Sequence, residues 1–159
     1  MEQIIVKGQT KDEIYSELLP QIKSLIEDES DLIANLANVT SALKQAFPSF
    51  SWVGFYLIKG GELVLGPFQG KLACTRIKIG SGVCGTAVLK KETIIVPDVE
   101  KFPGHIYCDP DSRSEIVVPI IKDGEVLGVL DIDSYELDNF DETDKFYLEK
   151  LVEILLEKF

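Results

Sequence analysis

The sequence predicts an α+β fold, in which helices flank an antiparallel sheet of about six strands, and three observations support this class. Helical periodicity is concentrated towards the two ends of the chain, the middle is rich in β-branched and aromatic residues, and strands and helices do not alternate regularly. The length of 159 residues favours a single domain over residues 1–159, because domains most often hold about 100–150 residues.

Two helices are predicted in the N-terminal part, over about residues 10–47. Thr10 and Glu13 fit a capping box, in which each side chain bonds the other residue's backbone amide, so the first helix begins there. Pro20 interrupts its apolar stripe and predicts a kink or a break, because proline lacks the amide hydrogen and clashes with the preceding turn. The second helix is predicted from a cap near Ser30.

The sheet and the loops of the candidate site are predicted over about residues 50–134. The predicted strands span residues 51–58, 62–65, 72–79, 93–96, 115–121 and 125–133. A short helix is predicted at 83–90, and a C-terminal helix capped by Asp141 at about 141–158. Residues 97–114 contain three prolines and no periodicity, and loops of this length in compact domains are usually functional lids or disordered.

The register of the last predicted hairpin decides which way three carboxylates point. A two-residue Asp-Gly turn would place Glu115 opposite Ile132, whereas a three-residue turn with a bulge would place it opposite Asp131. We favour the second register, because it puts Glu115, Asp131 and Asp133 on one face and leaves a continuous apolar face behind them. Crowding would then raise the pKa of at least one carboxyl group. The alternative is a solvated strand edge.

A glycine-rich segment, residues 80–85, matches the G-x-G-x-x-G pattern of dinucleotide-binding loops. The predicted helix after it is too short, and no βαβ arrangement surrounds it, so a dinucleotide site is not expected. Two interpretations remain. The free amides at the helix N-terminus could bind an anion such as a substrate carboxylate, or the segment could simply form a tight strand-to-helix turn.

Composition excludes several classes of function. The net charge of −11 disfavours nucleic acid and anionic membrane surfaces as partners, because both attract clustered lysine and arginine. No apolar run in the sequence approaches the ~20 residues of a membrane span, and the N-terminus carries no signal-peptide pattern. We therefore predict a cytoplasmic protein that binds neither nucleic acid nor membrane.

The three cysteines, Cys74, Cys84 and Cys108, are odd in number and do not suggest a secreted disulfide framework. A tetrahedral zinc site would need all of them together with the single histidine, His105, and their spacings do not match zinc-finger pairs. No metal site is predicted. Residue types alone leave two interpretations, namely small buried apolar residues or reactive thiols.

Seven short segments occur in a distinctive order along the chain. They are WVGFY at 52–56, LGPFQG at 65–70, AC at 73–74, GVCGTA at 82–87, GHIYCD at 104–109, SEIVVP at 114–119 and GVLDIDS at 128–134. Together they resemble the free methionine-(R)-sulfoxide reductases, which are small stand-alone GAF domains. The resemblance runs from about residue 30 to the C-terminus, and it implies a GAF-like fold and a thiol-dependent oxidoreductase.

The resemblance implies a role for each matching position. It makes Cys108 the nucleophile, Cys74 the resolving cysteine and Cys84 an auxiliary residue in disulfide exchange. The implied pocket consists of an aromatic wall and an acidic group, Trp52, Tyr56, Glu115, Asp131 and Asp133, of which Glu115 and Asp133 also serve catalysis. The resemblance further implies free methionine sulfoxide as substrate, no bound cofactor or metal, thioredoxin as the external reductant, and a homodimer.

The chemistry of the residues agrees with these roles. A thiolate on Cys108 can attack the sulfoxide sulfur and become a sulfenic acid, with which Cys74 condenses to a disulfide. A carboxylic acid kept neutral by crowding can protonate the departing oxygen, and a remaining carboxylate can pair with the ammonium group of a free amino acid. His105 could assist, but a solvated loop histidine is the favoured interpretation.

Two other functions remain open at the level of the sequence. A non-catalytic GAF domain that senses a nucleotide or a small acid would need none of the cysteines. A redox-switched structural protein would form a disulfide between Cys74 and Cys108 without reducing a sulfoxide. Turnover of the R and S sulfoxides, measured separately, distinguishes these functions from the reductase.

Overall fold

A six-stranded antiparallel sheet forms the centre of the computed structural model, which describes residues 3–159. The strands are β1 (Trp52–Lys59), β2 (Glu62–Gln69), β3 (Arg76–Ile77), β4 (Ile94–Val96), β5 (Ser114–Lys122) and β6 (Glu125–Ser134), in the order β3-β2-β1-β6-β5-β4. The helices are α1 (Lys11–Glu27), α2 (Leu32–Ala46), α3 (Gly82–Lys90) and α4 (Glu142–Leu156), with a 3-10 turn at Val99–Lys101. The predicted α+β class is confirmed.

The two faces of the sheet carry different layers. Helices α1, α2 and α4 cover one face, where alternate side chains of β1, β5 and β6 join the larger hydrophobic core. Helix α3 and the long loops cover the other face, which holds a smaller cluster around Trp52, Tyr56, Val117 and Val129. Among helices formed by residues 3–159, none has the length and apolar character needed to cross a bilayer.

The first helix is capped as predicted but is not broken. Thr10 and Glu13 form both hydrogen bonds of the capping box. The helix continues through Pro20, so the predicted break is wrong. Leu18 before the proline and Ile22 after it are both fully buried in the same core, while Pro20 itself faces solvent. Burial of one continuous apolar stripe outweighs the missing backbone hydrogen bond.

Two further local predictions need correction. Helix α2 is capped by Asp31, whose carboxylate accepts the Ala34 amide at 2.8 Å, rather than by Ser30. The strand predicted at 72–79 is reduced to the two residues of β3, and Leu72 is 88% exposed. Residues 70–75 form a loop instead, and this loop brings Cys74 to the site described below.

The hairpin between β5 and β6 has a two-residue turn, so the favoured three-residue turn is wrong. Asp123 and Gly124 both have positive φ, 53° and 78°, which a tight Asp-Gly hairpin turn requires. Lys122 consequently pairs with Glu125. The hairpin nevertheless contains a β-bulge, because the register shifts between Ile120 and Ile121.

The bulge sets the position of the acidic residues. Leu127 is the extra residue in β6, since its neighbours Val126 and Gly128 pair with consecutive residues of β5. Beyond it, Glu115 lies opposite Asp133 rather than opposite Asp131, so the predicted partner is wrong. Because side chains alternate along a strand, all three carboxylates still share one face, as predicted, and α3 covers this face.

Candidate active site

A pocket lies between the α3 face of the sheet and the long loops. It is lined by all of the predicted site residues except Cys74, namely Trp52, Tyr56, Cys84, Cys108, Glu115, Asp131 and Asp133. Cys74 is bonded to Cys108. Residues from β1, α3, β5, β6 and two loops therefore meet at one place, although they lie far apart in the sequence.

A disulfide joins Cys74 and Cys108 beside this pocket. Cys74 comes from the loop between β2 and β3, and Cys108 from the long loop between β4 and β5, 34 residues further along. Their Cα atoms are 5.4 Å apart, within the range that a disulfide spans. In the described part of the chain Cys84, on α3, is the one free cysteine. The protein is thus in an oxidised form.

The three carboxyl groups form the floor of the pocket. Glu115 and Asp131 are 5% and 6% exposed, and Asp133 is partly buried. Burial and then the negative charge of Asp133 raise the pKa of Glu115 to about 8. Burial also raises the pKa values of Asp131 and Asp133 well above their ordinary value, with Glu115 and Asp131 respectively as the neighbouring charges. At least one carboxyl group in the pocket is therefore protonated at neutral pH.

Two aromatic rings on β1 form one wall. Trp52 and Tyr56 are four residues apart, so they project from the same face of the strand, and their ring centroids are 6.0 Å apart. Phe68 of β2 stacks on the other side of Trp52 at 5.4 Å. The Tyr56 hydroxyl donates a hydrogen bond of 2.9 Å to the Cys74 carbonyl, which ties the aromatic wall to the disulfide loop.

The N-terminus of α3 opens at the pocket. Ser81, Gly82 and Val83 line it, and in the part of the chain that the structure describes the Ser81 side chain makes no capping hydrogen bond. A tight turn, one of the two interpretations of the glycine-rich segment, is present, with the Gly80 amide donating to the Gly85 carbonyl at 2.8 Å. Gly82 has a φ of 62°, a conformation that glycine adopts without strain.

The Cys84 thiol lies at the back of the pocket. Burial raises its pKa well above the ordinary value, and the charge of Asp131 acts in the same direction. A thiol in this environment is protonated and is not an activated nucleophile. It is free, whereas Cys74 and Cys108 are bonded to each other.

Comparison with known proteins agrees with this geometry. The GAF domain family matches residues 29–155. GAF domain-containing protein A of Dictyostelium discoideum is 58% identical over 152 residues, 95% of each chain. The free methionine-R-sulfoxide reductase of Saccharomyces cerevisiae is 48% identical, covering 91% of this chain and 85% of the yeast protein. The crystal structure of free methionine-R-sulfoxide reductase from Neisseria meningitidis with its substrate has a TM-score of 0.98 at 52% identity, covering 100% of this chain and 96% of that one.

The chain belongs to the free methionine-R-sulfoxide reductase family of GAF domains. Membership in this reductase family confirms the resemblance found in the short segments, and it confirms that the chain is an enzyme rather than only a sensor domain.

One residue of this reductase lies where the sequence did not predict it. The His105 side chain is only 6% exposed, so the expectation of a solvated loop histidine is wrong. Its Nε2 atom is 3.4 Å from Oε2 of Glu115, and its ring packs edge-on against Tyr107 at 4.6 Å. Burial lowers the pKa of His105, so its ring is neutral at neutral pH. The sequence offers one indication of a role for His105, its position three residues before Cys108, and this position does not predict burial.

A polar network that sequence reasoning missed holds the two disulfide loops together at the surface of the reductase. Lys71 Nζ lies 3.0 Å from Oδ2 of Asp111 and 3.9 Å from Oδ1 of Asp109. Asp109 also accepts a hydrogen bond from the Tyr135 hydroxyl at 2.9 Å. These residues are exposed or partly so, and nothing in their local sequence pattern distinguishes them from ordinary surface charges.

Proposed function

We propose that this protein reduces free methionine-(R)-sulfoxide to methionine, with Cys108 as the nucleophile. The observation that carries the proposal is the Cys74–Cys108 disulfide beside a pocket of buried carboxyl groups. The substrate is inferred from the yeast and Neisseria relatives, whose names specify that sulfoxide. The residue roles below are inferred from the position of each side chain in the pocket.

The reaction begins from the reduced enzyme. The Cys108 thiolate attacks the sulfoxide sulfur while the neutral Glu115 carboxyl group donates a proton to the oxygen. The oxygen passes to the Cys108 sulfur, methionine leaves, and Cys108 becomes a sulfenic acid. Cys74 then attacks this sulfur and releases water. One sulfoxide and two thiols thus give one thioether, one disulfide and one water molecule, and the disulfide is the form present in the structure.

The pocket offers a partner to each part of a free amino acid. Trp52 and Tyr56 provide apolar surface for the methyl and methylene groups. An ionised carboxylate of Asp131 or Asp133 pairs with the ammonium group, and the amides at the start of α3 donate hydrogen bonds to the substrate carboxylate. A methionine within a peptide has neither charged group, so this pocket favours the free amino acid.

Protonation of the acidic group also favours the nucleophile. Three ionised carboxylates near Cys108 would raise the pKa of its thiol and oppose thiolate formation. The raised pKa values of Glu115, Asp131 and Asp133 keep part of this negative charge neutralised. One arrangement therefore supplies a proton donor and reduces the repulsion that the thiolate experiences.

The test uses pre-reduced protein freed of reductant, so that each molecule can turn over once. The wild-type protein is expected to form one methionine from the R sulfoxide together with one disulfide. The Cys108→Ser variant is expected to lose activity by at least about 10³-fold. A double variant, Cys74→Ser with Cys84→Ser, should still form one methionine and leave a sulfenic acid on Cys108 that dimedone traps.

Two results would reject the proposal. Retention of most turnover by Cys108→Ser would reject Cys108 as the nucleophile. Equal turnover of the S sulfoxide would reject the assignment of the R isomer as the substrate. Saturable ligand binding with no turnover of either isomer would favour the sensor function. Recycling by thioredoxin is proposed because it supplies the dithiol that the disulfide requires, and a coupled assay tests it. The homodimer and the cytoplasmic location remain predictions.

A further inference from the structure

A cluster of three donor groups lies in the pocket beside the disulfide. One donor atom each from Cys84, Glu115 and Asp131 lies within 4.8 Å of the other two, and all three residues are buried. The donors come from α3, β5 and β6, so the packing of the sheet against α3 holds them together. The proposed reaction uses Cys108 and Cys74 and assigns no step to Cys84.

A second observation points to a missing partner. Oδ1 of Asp131 is buried and has no hydrogen-bond partner within residues 3–159, and the residue as a whole is only 6% exposed. Buried carboxylate oxygens are normally hydrogen-bonded or coordinated, because an unpaired one costs the full penalty of desolvation. A cation at the centre of the cluster would satisfy this oxygen and would displace the protons that its neighbours carry.

The donor set identifies the kind of cation. A thiolate is a soft ligand, which favours Zn²⁺ over Mg²⁺ or Ca²⁺, and carboxylates complete many zinc sites. Three protein ligands would leave the fourth tetrahedral position free, and all three of these residues line the substrate pocket. We propose that Cys84, Glu115 and Asp131 form a binding site for Zn²⁺ that competes with the substrate. The competition rests on the proposed function, whereas the binding of the metal does not.

The oxidised protein allows a clean test, because Cys74 and Cys108 are bonded and Cys84 alone can lose its proton to a metal and bind it as a thiolate. Cobalt(II) serves as the probe, since a thiolate ligand gives it an absorption band in the near ultraviolet. Titration of the oxidised protein with Co²⁺ is expected to produce this band with one metal per chain. Zn²⁺ should abolish the band by displacement, and Mg²⁺ in excess should leave it unchanged.

Two variants identify the ligands. Cys84→Ser should lose the thiolate band completely, and Asp131→Asn should weaken Co²⁺ binding by at least about tenfold. Asp98→Asn, which removes an acid outside the pocket, is the matched control and should bind like the wild type. Absence of the band from the wild-type protein, or its persistence in Cys84→Ser, would overturn the site. Circular dichroism of each variant shows whether it is folded. If Cys84→Ser does not fold, the Asp131→Asn variant tests the metal site in its place.

Competition is tested on the same oxidised protein. Free methionine sulfoxide should lower the cobalt band in a saturable way, whereas N-acetylmethionine sulfoxide, which lacks the ammonium group, should lower it far less. No effect of either compound would overturn the competition while leaving the metal site in place. A missing band in protein that still reduces the sulfoxide would refute the metal site alone, and a band in protein without turnover would refute the proposed function alone.

Discussion

Glu115 lies in an environment unlike that of an ordinary surface acid. It is 5% exposed, it lies opposite Asp133 in the β5–β6 pair, and its Oε2 atom is 3.4 Å from Nε2 of His105. Burial and the charge of Asp133 raise its pKa to about 8. A carboxyl group with this pKa holds its proton at neutral pH and can still release it during a reaction, as a general acid must.

Replacing this acid should slow the chemical step and change its pH dependence. Glu115→Gln is expected to lower kcat by about 10²–10⁴-fold, because the amide cannot protonate the sulfoxide oxygen. In the wild type kcat should fall as the pH rises through about 8, since only the protonated acid is active. The variant should lack this alkaline decline. The measurement is kcat against pH, with methionine formation as the readout.

Glu100→Gln is the matched control, because Glu100 is an exposed acid in the long loop between β4 and β5 and does not line the pocket. It should retain both the rate and the pH profile of the wild type. An unchanged alkaline decline in Glu115→Gln would assign the titrating group to another residue and reject Glu115 as the proton donor.

At the scale of the elements, the bulge at Leu127 places the acidic residues. Leu127 packs on the face covered by α1, α2 and α4. Its insertion shifts every β6 residue beyond it by one position relative to β5. Without this shift the two-residue turn would set Glu115 against Ile132, and Asp131 and Asp133 would point away from it. A single residue far from the pocket therefore controls its geometry.

Deletion of Leu127 tests this control. The deletion is expected to lower kcat/KM by about 10²-fold or more, because it either moves the carboxylates to the opposite face or strains the turn. Leu127→Ala is the control, since it keeps the bulge and loses only part of a partly buried side chain. Steady-state kinetics of both variants provide the comparison. Near-normal activity of the deletion variant would show that the bulge does not position the site.

The elements also show where sequence reasoning works. The caps at Thr10 and Asp141 were predictable because a cap depends on a few adjacent residues. The shared face of the carboxylates was predicted as well, but through a turn and a partner that were both wrong, because a turn and a distant bulge jointly set the register. The burial of His105 and the short β3 depend on loop packing, and no local pattern encodes that packing.

At the scale of the whole molecule, one face of the sheet holds most of the hydrophobic core and the other face holds the reactive groups. The larger core lies under α1, α2 and α4, and it contains few polar groups. The opposite face buries three carboxyl groups with raised pKa values, a buried thiol and a histidine with a lowered pKa. Burying such groups costs free energy unless they are neutral, so the functional face makes the stability of the whole molecule depend on pH.

The direction of this dependence follows from the carboxyl groups. A group whose pKa is raised by folding binds its proton more tightly in the folded state, so its contribution is complete below pH about 4.5 and is lost as the pH rises through about 8. His105 acts in the opposite sense, because its lowered pKa makes the folded state less stable below pH about 6.5. Between pH about 7 and 8.5 the histidine is neutral in both states, and the carboxyl groups dominate.

The oxidised protein should therefore become less stable between pH about 7 and 8.5. The ionisation of Glu115 lowers the free energy of unfolding by at most about 1.4 kcal/mol per pH unit. This slope becomes smaller as the pH rises above the pKa of Glu115 in the folded protein. Glu115→Gln should flatten part of the decline, while Asp131 and Asp133 maintain the rest. Denaturant unfolding at several pH values within this range measures the slope. A wild-type stability that is constant or rises over the range would show that Glu115 is already ionised in the folded protein, and its assignment as the acid would then fail.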